Sequence, residues 1–236
     1  MTIRTMNVPY QHRGDALTGC LAWDDAQKGP RPVVLIAHAW HGLTDQERQI
    51  ARYVAGLGYA AFAIDLYGAT AHTRDECRAL MTPFIQDRAK LQERMQTALA
   101  AARAEGHIVS DQAAIIGFCF GGLCALDLAR TGADLAGVVS FHGLFGAPDV
   151  GKADRIHAKI LLLHGWDDPM VKPEAVLAIA DELTQAGADW RLHAYSHTMH
   201  AFTNPEANDP DFGTVYNERA ARLAWDAMEA FLKEVF

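Results

Sequence analysis

Little in this sequence points to cross-linking. Cys20, Cys77, Cys119 and Cys124 are its only cysteines; none falls in a C-x-x-C or Cys/His finger spacing, which suits a reducing cytoplasm and a fold held by its own core. Long apolar runs are missing as well. No stretch reaches the ~20 residues of a membrane span, and Met1 to Asn7 lack the apolar core of a signal peptide, so secretion and membrane insertion are not expected. Dense runs of Lys and Arg are absent and the formal charge is −8. That leaves no footprint for a phosphate backbone and disfavours a nucleic-acid partner; the acidity serves solubility. There are no internal repeats, low-complexity tracts or Pro/Gly/Ser linkers. The 236 residues, half of them apolar, fit one α/β domain over 1–236 with a large core. Oligomeric state is not legible.

What is present alternates. Strand-like runs recur at Leu17–Trp23, Val33–His38, Ala60–Ile64, Ala113–Gly117, Gly137–Phe141, Ile160–His164 and Trp190–Tyr195. Helical patterns lie between or after them, at 45–57, 83–104, 123–131, 173–186 and 214–235. Val33-Val34-Leu35-Ile36-Ala37 is apolar on consecutive residues, as in a parallel sheet covered by helices on both faces. The first run reads as an antiparallel edge. The order implies a doubly wound, mostly parallel α/β domain, without a separate lid domain because the excursions 66–82 and 143–158 are short. In such sheets ligands bind beyond the carboxyl ends of the strands. His38, His41, Asp65, Cys119, His142, His164, Asp168, His197 and His200 collect there.

Gly117-Phe118-Cys119-Phe120-Gly121-Gly122 joins the Ala113 run to the Leu123 helix. This reads as a nucleophile elbow with cysteine in place of serine: a strand-to-helix turn this tight needs almost no side chain two residues either side of the nucleophile. Cys119 would stand at a helix N-terminus, where bare N–H groups and the helix dipole favour a thiolate. A cysteine nucleophile needs a base, and the base an orienting acid, in the chain order nucleophile, acid, histidine. Two loops downstream supply them. Asp167 and Asp168 follow the strand ending near His164; His197 and His200 follow the last strand.

These stretches resemble the dienelactone hydrolase family of α/β-hydrolases at Gly-x-Cys-x-Gly-Gly (117–122), Asp-Leu-Tyr-Gly (65–68), His-Gly-x-x-Asp (164–168) and His-x-Phe (200–202), in order, over about Val33 to Phe236. The resemblance implies an α/β-hydrolase fold and hydrolysis of a small-molecule ester or lactone by Cys119, Asp168 and His200 through a thioester. It selects Asp168 over Asp167 and His200 over His197, and implies an oxyanion hole from the backbone N–H groups of Phe120 and Trp40. No cofactor or metal is required. Ala39, Tyr67, Trp166 and Asn204 are the candidates for substrate contact.

Two departures bear on substrate. Dienelactone-degrading members carry a glutamate where this chain has Ala39, and an arginine four residues past the histidine where it has Asn204. Such members hold the substrate carboxylate with more than one arginine, and Arg74 or Arg78 is the candidate for the other. Without a bidentate arginine, carboxylate selectivity falls, so a neutral aryl or alkyl ester is the expected substrate, with phosphotriesters as a side activity. The rival readings are a metal-dependent hydrolase built on His193, His197 and His200, a redox role for Cys119 with Cys124, and a non-enzymatic binding domain.

Overall fold

The structure, a computed structural model, describes residues 2–236. Among the described residues ten strands and six helices follow one another as β1 Ile3–His12, β2 Asp15–Asp24, β3 Arg31–Ala37, α1 Asp45–Gly56, β4 Ala60–Ala63, α2 Arg74–Gln86, α3 Arg88–Arg103, β5 Ile108–Phe118, α4 Phe120–Arg130, β6 Gly137–Phe141, β7 Lys159–Gly165, α5 Pro173–Gln185, β8 Trp190–Tyr195, β9 Asn208–Asp209, β10 Thr214–Val215 and α6 Glu218–Val235. Eight strands form one sheet in the order β1-β2-β4-β3-β5-β6-β7-β8. The pairs from β4 to β8 are parallel; β1–β2 and β2–β4 are antiparallel.

Alternation along β3 shows why its run is apolar on both faces. Val33, Leu35 and Ala37 pack with Leu91, Met95, Leu123, Leu126, Val176 and Ile179 of α3, α4 and α5. Val34 and Ile36 pack on the opposite face with Ala51, Val54, Met228 and Phe231 of α1 and α6. This is the α/β-hydrolase arrangement. Strand order reverses at β3, which has β4 on one side and β5 on the other, so the crevice for a ligand opens where Ala37 lies beside Gly117, at a topological switch point.

The structure corrects several expected boundaries. β1 was not anticipated: it is an edge strand on which only Val8 and Tyr10 are buried, and Pro9 is tolerated because an edge strand need not use every donor. The helix expected over 83–104 is two helices. α2 starts at Arg74 under a Thr73/Glu76 capping box and holds Pro83 in its interior; Asp87 then caps α3 by accepting the Lys90 N–H. Residues 214–215 are β10, and α6 begins only after Asn217, whose side chain accepts from the Ala220 N–H. No helix among the described residues is long and apolar enough to cross a membrane.

Candidate active site

Cys119 occupies the single residue between β5 and α4, at φ 55 and ψ −117. A non-glycine residue at such φ is uncommon, and strain of this kind persists only where the surroundings impose it. Here they do. The Cys119 N–H donates to the Phe141 carbonyl at 3.0 Å, and its carbonyl accepts from Gly122 at 3.0 Å. A Cβ on Gly117 would lie 2.0 Å from the Gly121 carbonyl oxygen; one on Gly121 would lie 2.1 Å from the Ala37 carbonyl oxygen. The elbow therefore rests directly on the end of β3. The Cys119 side chain makes no capping bond and is half-buried.

His200 is mounted on a small hairpin. Its N–H donates to Gly213 at 3.0 Å and its carbonyl accepts from Val215 at 3.1 Å, beside the β9–β10 pair. Its Nδ1 lies 2.6 Å from Asp168 Oδ2, with both side chains almost fully buried. Asp168 Oδ1 accepts the Met170 N–H at 2.8 Å, so the carboxylate is held at both oxygens. With Nδ1 committed to the carboxylate, Nε2 is left buried without a hydrogen-bond partner among the described residues. Burial works against the charged ring, but a Cys119 charge and the Asp168 hydrogen bond outweigh it, and the pKa of His200 is raised to about 10.

The residues that compete for these roles lie elsewhere. His197 is 94% exposed and sits 3.9 Å from Asp167, itself half-exposed. His193 is exposed on β8. Among the described residues no three His, Cys, Asp or Glu side chains gather to hold a metal ion. Cys124 is buried, and burial pushes its thiol well up. Asp65 accepts backbone N–H groups of Thr18, Tyr67 and Gly68 at 2.7–3.1 Å, as a structural staple would.

Phe120 is buried at the first position of α4, and Trp40 is half-buried in the turn after β3. Neither backbone N–H donates to another backbone group among the described residues. Ala39 is half-buried beside Trp40. The Tyr67 ring packs 4.7 Å from His38 and 6.2 Å from Phe120. Its hydroxyl is buried without a partner among the described residues, and burial, with the Cys124 and Cys119 charges, pushes its pKa up, so it remains a neutral donor. Trp166 is 46% exposed at the rim. Asn204 is turned to its own loop, accepting from the Glu206 N–H at 3.0 Å.

Sequence reasoning missed three features. The Trp40 ring stacks on Phe212 at 5.6 Å, and the Arg74 guanidinium lies over the Phe212 ring at 4.3 Å while ion-paired to Asp209. Arg78 pairs with Asp75 on the surface at 3.5 Å. His142, at φ 38, packs edge-on against His200 with ring centroids 5.2 Å apart and shares a hydrogen bond with Thr203 Oγ1 at 2.8 Å. Burial, then the His200 charge, drives its pKa well down, so a neutral ring backs the charged one. Only the position of His142 at a strand end hinted at this; nothing in the sequence signals the Phe212 stack.

Comparison with known proteins gives the family and the fold. The sequence profile of the dienelactone hydrolase family matches residues 17–236. Protein usf of Aquifex pyrophilus is 29% identical over 235 residues, covering 96% of this chain and 97% of its own. A crystal structure of a dienelactone hydrolase-like promiscuous phosphotriesterase from metagenomic libraries superposes with a TM-score of 0.95 at 35% identity, covering both chains completely. Dienelactone hydrolase from Anabaena variabilis shares the fold, with a TM-score of 0.69 at 22% identity over 99% of each chain. An elbow with a half-buried thiol, an imidazole held by a carboxylate, and a family match over most of the chain place the protein in the dienelactone hydrolase family of α/β-hydrolases, enzymes acting on ester bonds.

Proposed function

We propose that the protein hydrolyses neutral carboxylic esters, aryl esters foremost, through Cys119, His200 and Asp168, within a single domain. The observation that carries this reading is the 2.6 Å contact of His200 Nδ1 with Asp168, which leaves the buried Nε2 for the Cys119 thiol. In the first step Cys119 Sγ attacks the carbonyl carbon and the carbonyl electron pair moves to oxygen, between the N–H groups of Phe120 and Trp40. Collapse expels the alkoxide, which takes the Nε2 proton of His200. In the second step His200 removes a proton from water, the hydroxide adds to the thioester, and the Cys119 thiolate leaves as the acid forms.

The substrate preference rests on what surrounds the thiol. Ala39 carries no charge, and the two arginines considered for a substrate carboxylate are engaged elsewhere, Arg74 with Asp209 and Arg78 with Asp75. Trp40, Phe212 and Tyr67 offer aromatic surface instead. The relative described as a promiscuous phosphotriesterase supports a side activity in which the thiolate attacks phosphorus, displaces an aryloxide, and water cleaves the S–P bond. Burial of Cys124 and the outward position of His193 and His197 count against the redox and metal readings.

Mass spectrometry after a rapid quench with a chromogenic aryl ester tests this directly. The acyl group is expected on the peptide containing Cys119, with neutral aryl esters outpacing carboxylate-bearing counterparts. Full activity in Cys119→Ala, without an adduct on wild type, overturns the thioester route.

A further inference from the structure

We propose that His38 is a positioning residue that sets the direction of the Trp40 N–H and so orients half of the oxyanion hole. This rests on the reading of Trp40 as an oxyanion donor given above. The His38 side chain is fully buried, and both ring nitrogens are committed: Nδ1 lies 2.6 Å from the Ala39 carbonyl oxygen, and Nε2 lies 3.3 Å from the Leu66 backbone N. A backbone N–H only donates, so Nε2 must be the acceptor and the proton must reside on Nδ1, which donates to Ala39. The contacts select one neutral tautomer. Burial, the foremost influence, holds the ring's pKa below its ordinary value. A second proton on Nε2 would face the Leu66 N–H, donor against donor.

The carbonyl that His38 holds belongs to the same peptide as the Trp40 N–H. In a trans peptide the C=O and N–H point in opposite directions, and the described residues contain no cis bond. Holding the Ala39 oxygen therefore fixes the Trp40 N–H. The same residue tethers the turn after β3 to the end of β4 through Leu66, and its ring packs against Tyr67 at 4.7 Å. Its backbone sets the distance to the nucleophile: a Cβ on Gly121 would lie 2.6 Å from the His38 carbonyl oxygen. Phe120 and Trp40, the two donors, are thus built on segments in direct backbone contact, and His38 governs the angle of the second. This arrangement is preorganised, which is where the strength of an oxyanion hole lies.

Two amide substitutions separate the two ring contacts. The side-chain nitrogen of asparagine can take the place of Nδ1 and donate to Ala39, whereas the side-chain oxygen of glutamine can reach the place of Nε2 and accept from Leu66. His38→Asn is expected to keep the Ala39 bond and retain kcat within about tenfold. His38→Gln keeps only the Leu66 contact, and its kcat is expected to fall by about 100-fold, the usual effect of losing one oxyanion donor, with KM changed less than about threefold. Alkylation of Cys119 by iodoacetamide develops no oxyanion, and its rate should match wild type in both variants. Equal losses in the two variants, the reverse order, or alkylation slowed in proportion to turnover would each overturn the proposal, and thermal unfolding shows whether each variant is folded. Cys119→Ala, run alongside, separates the two claims. If it is inactive while His38→Gln retains wild-type kcat, only the role of His38 falls; if it is fully active, the thioester mechanism falls and the oxyanion argument with it.

Discussion

At the scale of the residue, His200 shows how a buried imidazole is kept charged. Burial alone would favour the neutral ring, and it is the Cys119 charge and the Asp168 carboxylate that bring the pKa to about 10. The sign of a substitution follows. Asp168→Asn removes an influence that favours imidazolium, so the proton needed by the leaving alkoxide is lost at lower pH. The basic limb of the kcat/KM profile is expected to move from near pH 10 towards the ordinary histidine range, with kcat reduced by about 10³- to 10⁴-fold as for other orienting acids; a basic limb that stays in place would mean that Asp168 only supports the loop. The places of Cys119, Asp168 and His200 beyond strand ends were legible from the order of strands and loops, while the choice of Asp168 over Asp167 and of His200 over His197 rested on the family resemblance. The fate of Arg74 was not legible. A guanidinium looks the same in sequence whether it waits for a substrate or, as here, is held by Asp209 and laid over Phe212, and both partners lie about 135 residues downstream.

Elements were read well where burial is two-sided and poorly where it is not. β3 and β7 declare themselves by consecutive apolar residues, whereas β1 buries two side chains of ten and gives almost no period. The start of α2 is masked in the sequence because Pro83 resembles a first helical residue, whereas the physical signal is the Thr73/Glu76 box. The glycines of the elbow are the opposite case: spacing alone identified them, and the packing gives the reason. Gly121→Ala would press a methyl carbon to 2.1 Å from the Ala37 carbonyl oxygen, backbone that cannot yield without moving β3 from α4. The variant is expected to lose about 1–3 kcal/mol or more of stability in urea titration and most of its Cys119 alkylation rate. Gly106→Ala meets nothing within 4 Å and should match wild type in both; a Gly121→Ala enzyme equal to wild type would show that the elbow tolerates a wider turn.

Across the whole molecule, the helix that follows Cys119, the proposed nucleophile, is anchored from behind by charge. Asp127, fully buried on α4, accepts from Arg88 at 2.6 and 2.5 Å and from Arg130 at 3.0 Å. Arg130 in turn holds both oxygens of Glu182 on α5 at 2.8 Å. Removing the central carboxylate leaves two guanidinium groups facing each other out of water, so Asp127→Ala is expected to cost about 3–5 kcal/mol, read as a lowered midpoint in thermal or urea unfolding. A change below about 1 kcal/mol would mean that water takes over the role of the carboxylate. The hairpin below His200 ties the remaining parts together. Gly213, whose carbonyl receives the His200 N–H, sits so close to Pro169 that a Cβ would lie 2.1 Å from its ring, and Pro169 is the neighbour of Asp168. The loops bearing Asp168 and His200, the proposed acid and base, are therefore joined to each other before any ligand arrives. On the proposed mechanism the first turnover then waits for no slow assembly step, and product is expected to appear without a lag in a stopped-flow trace.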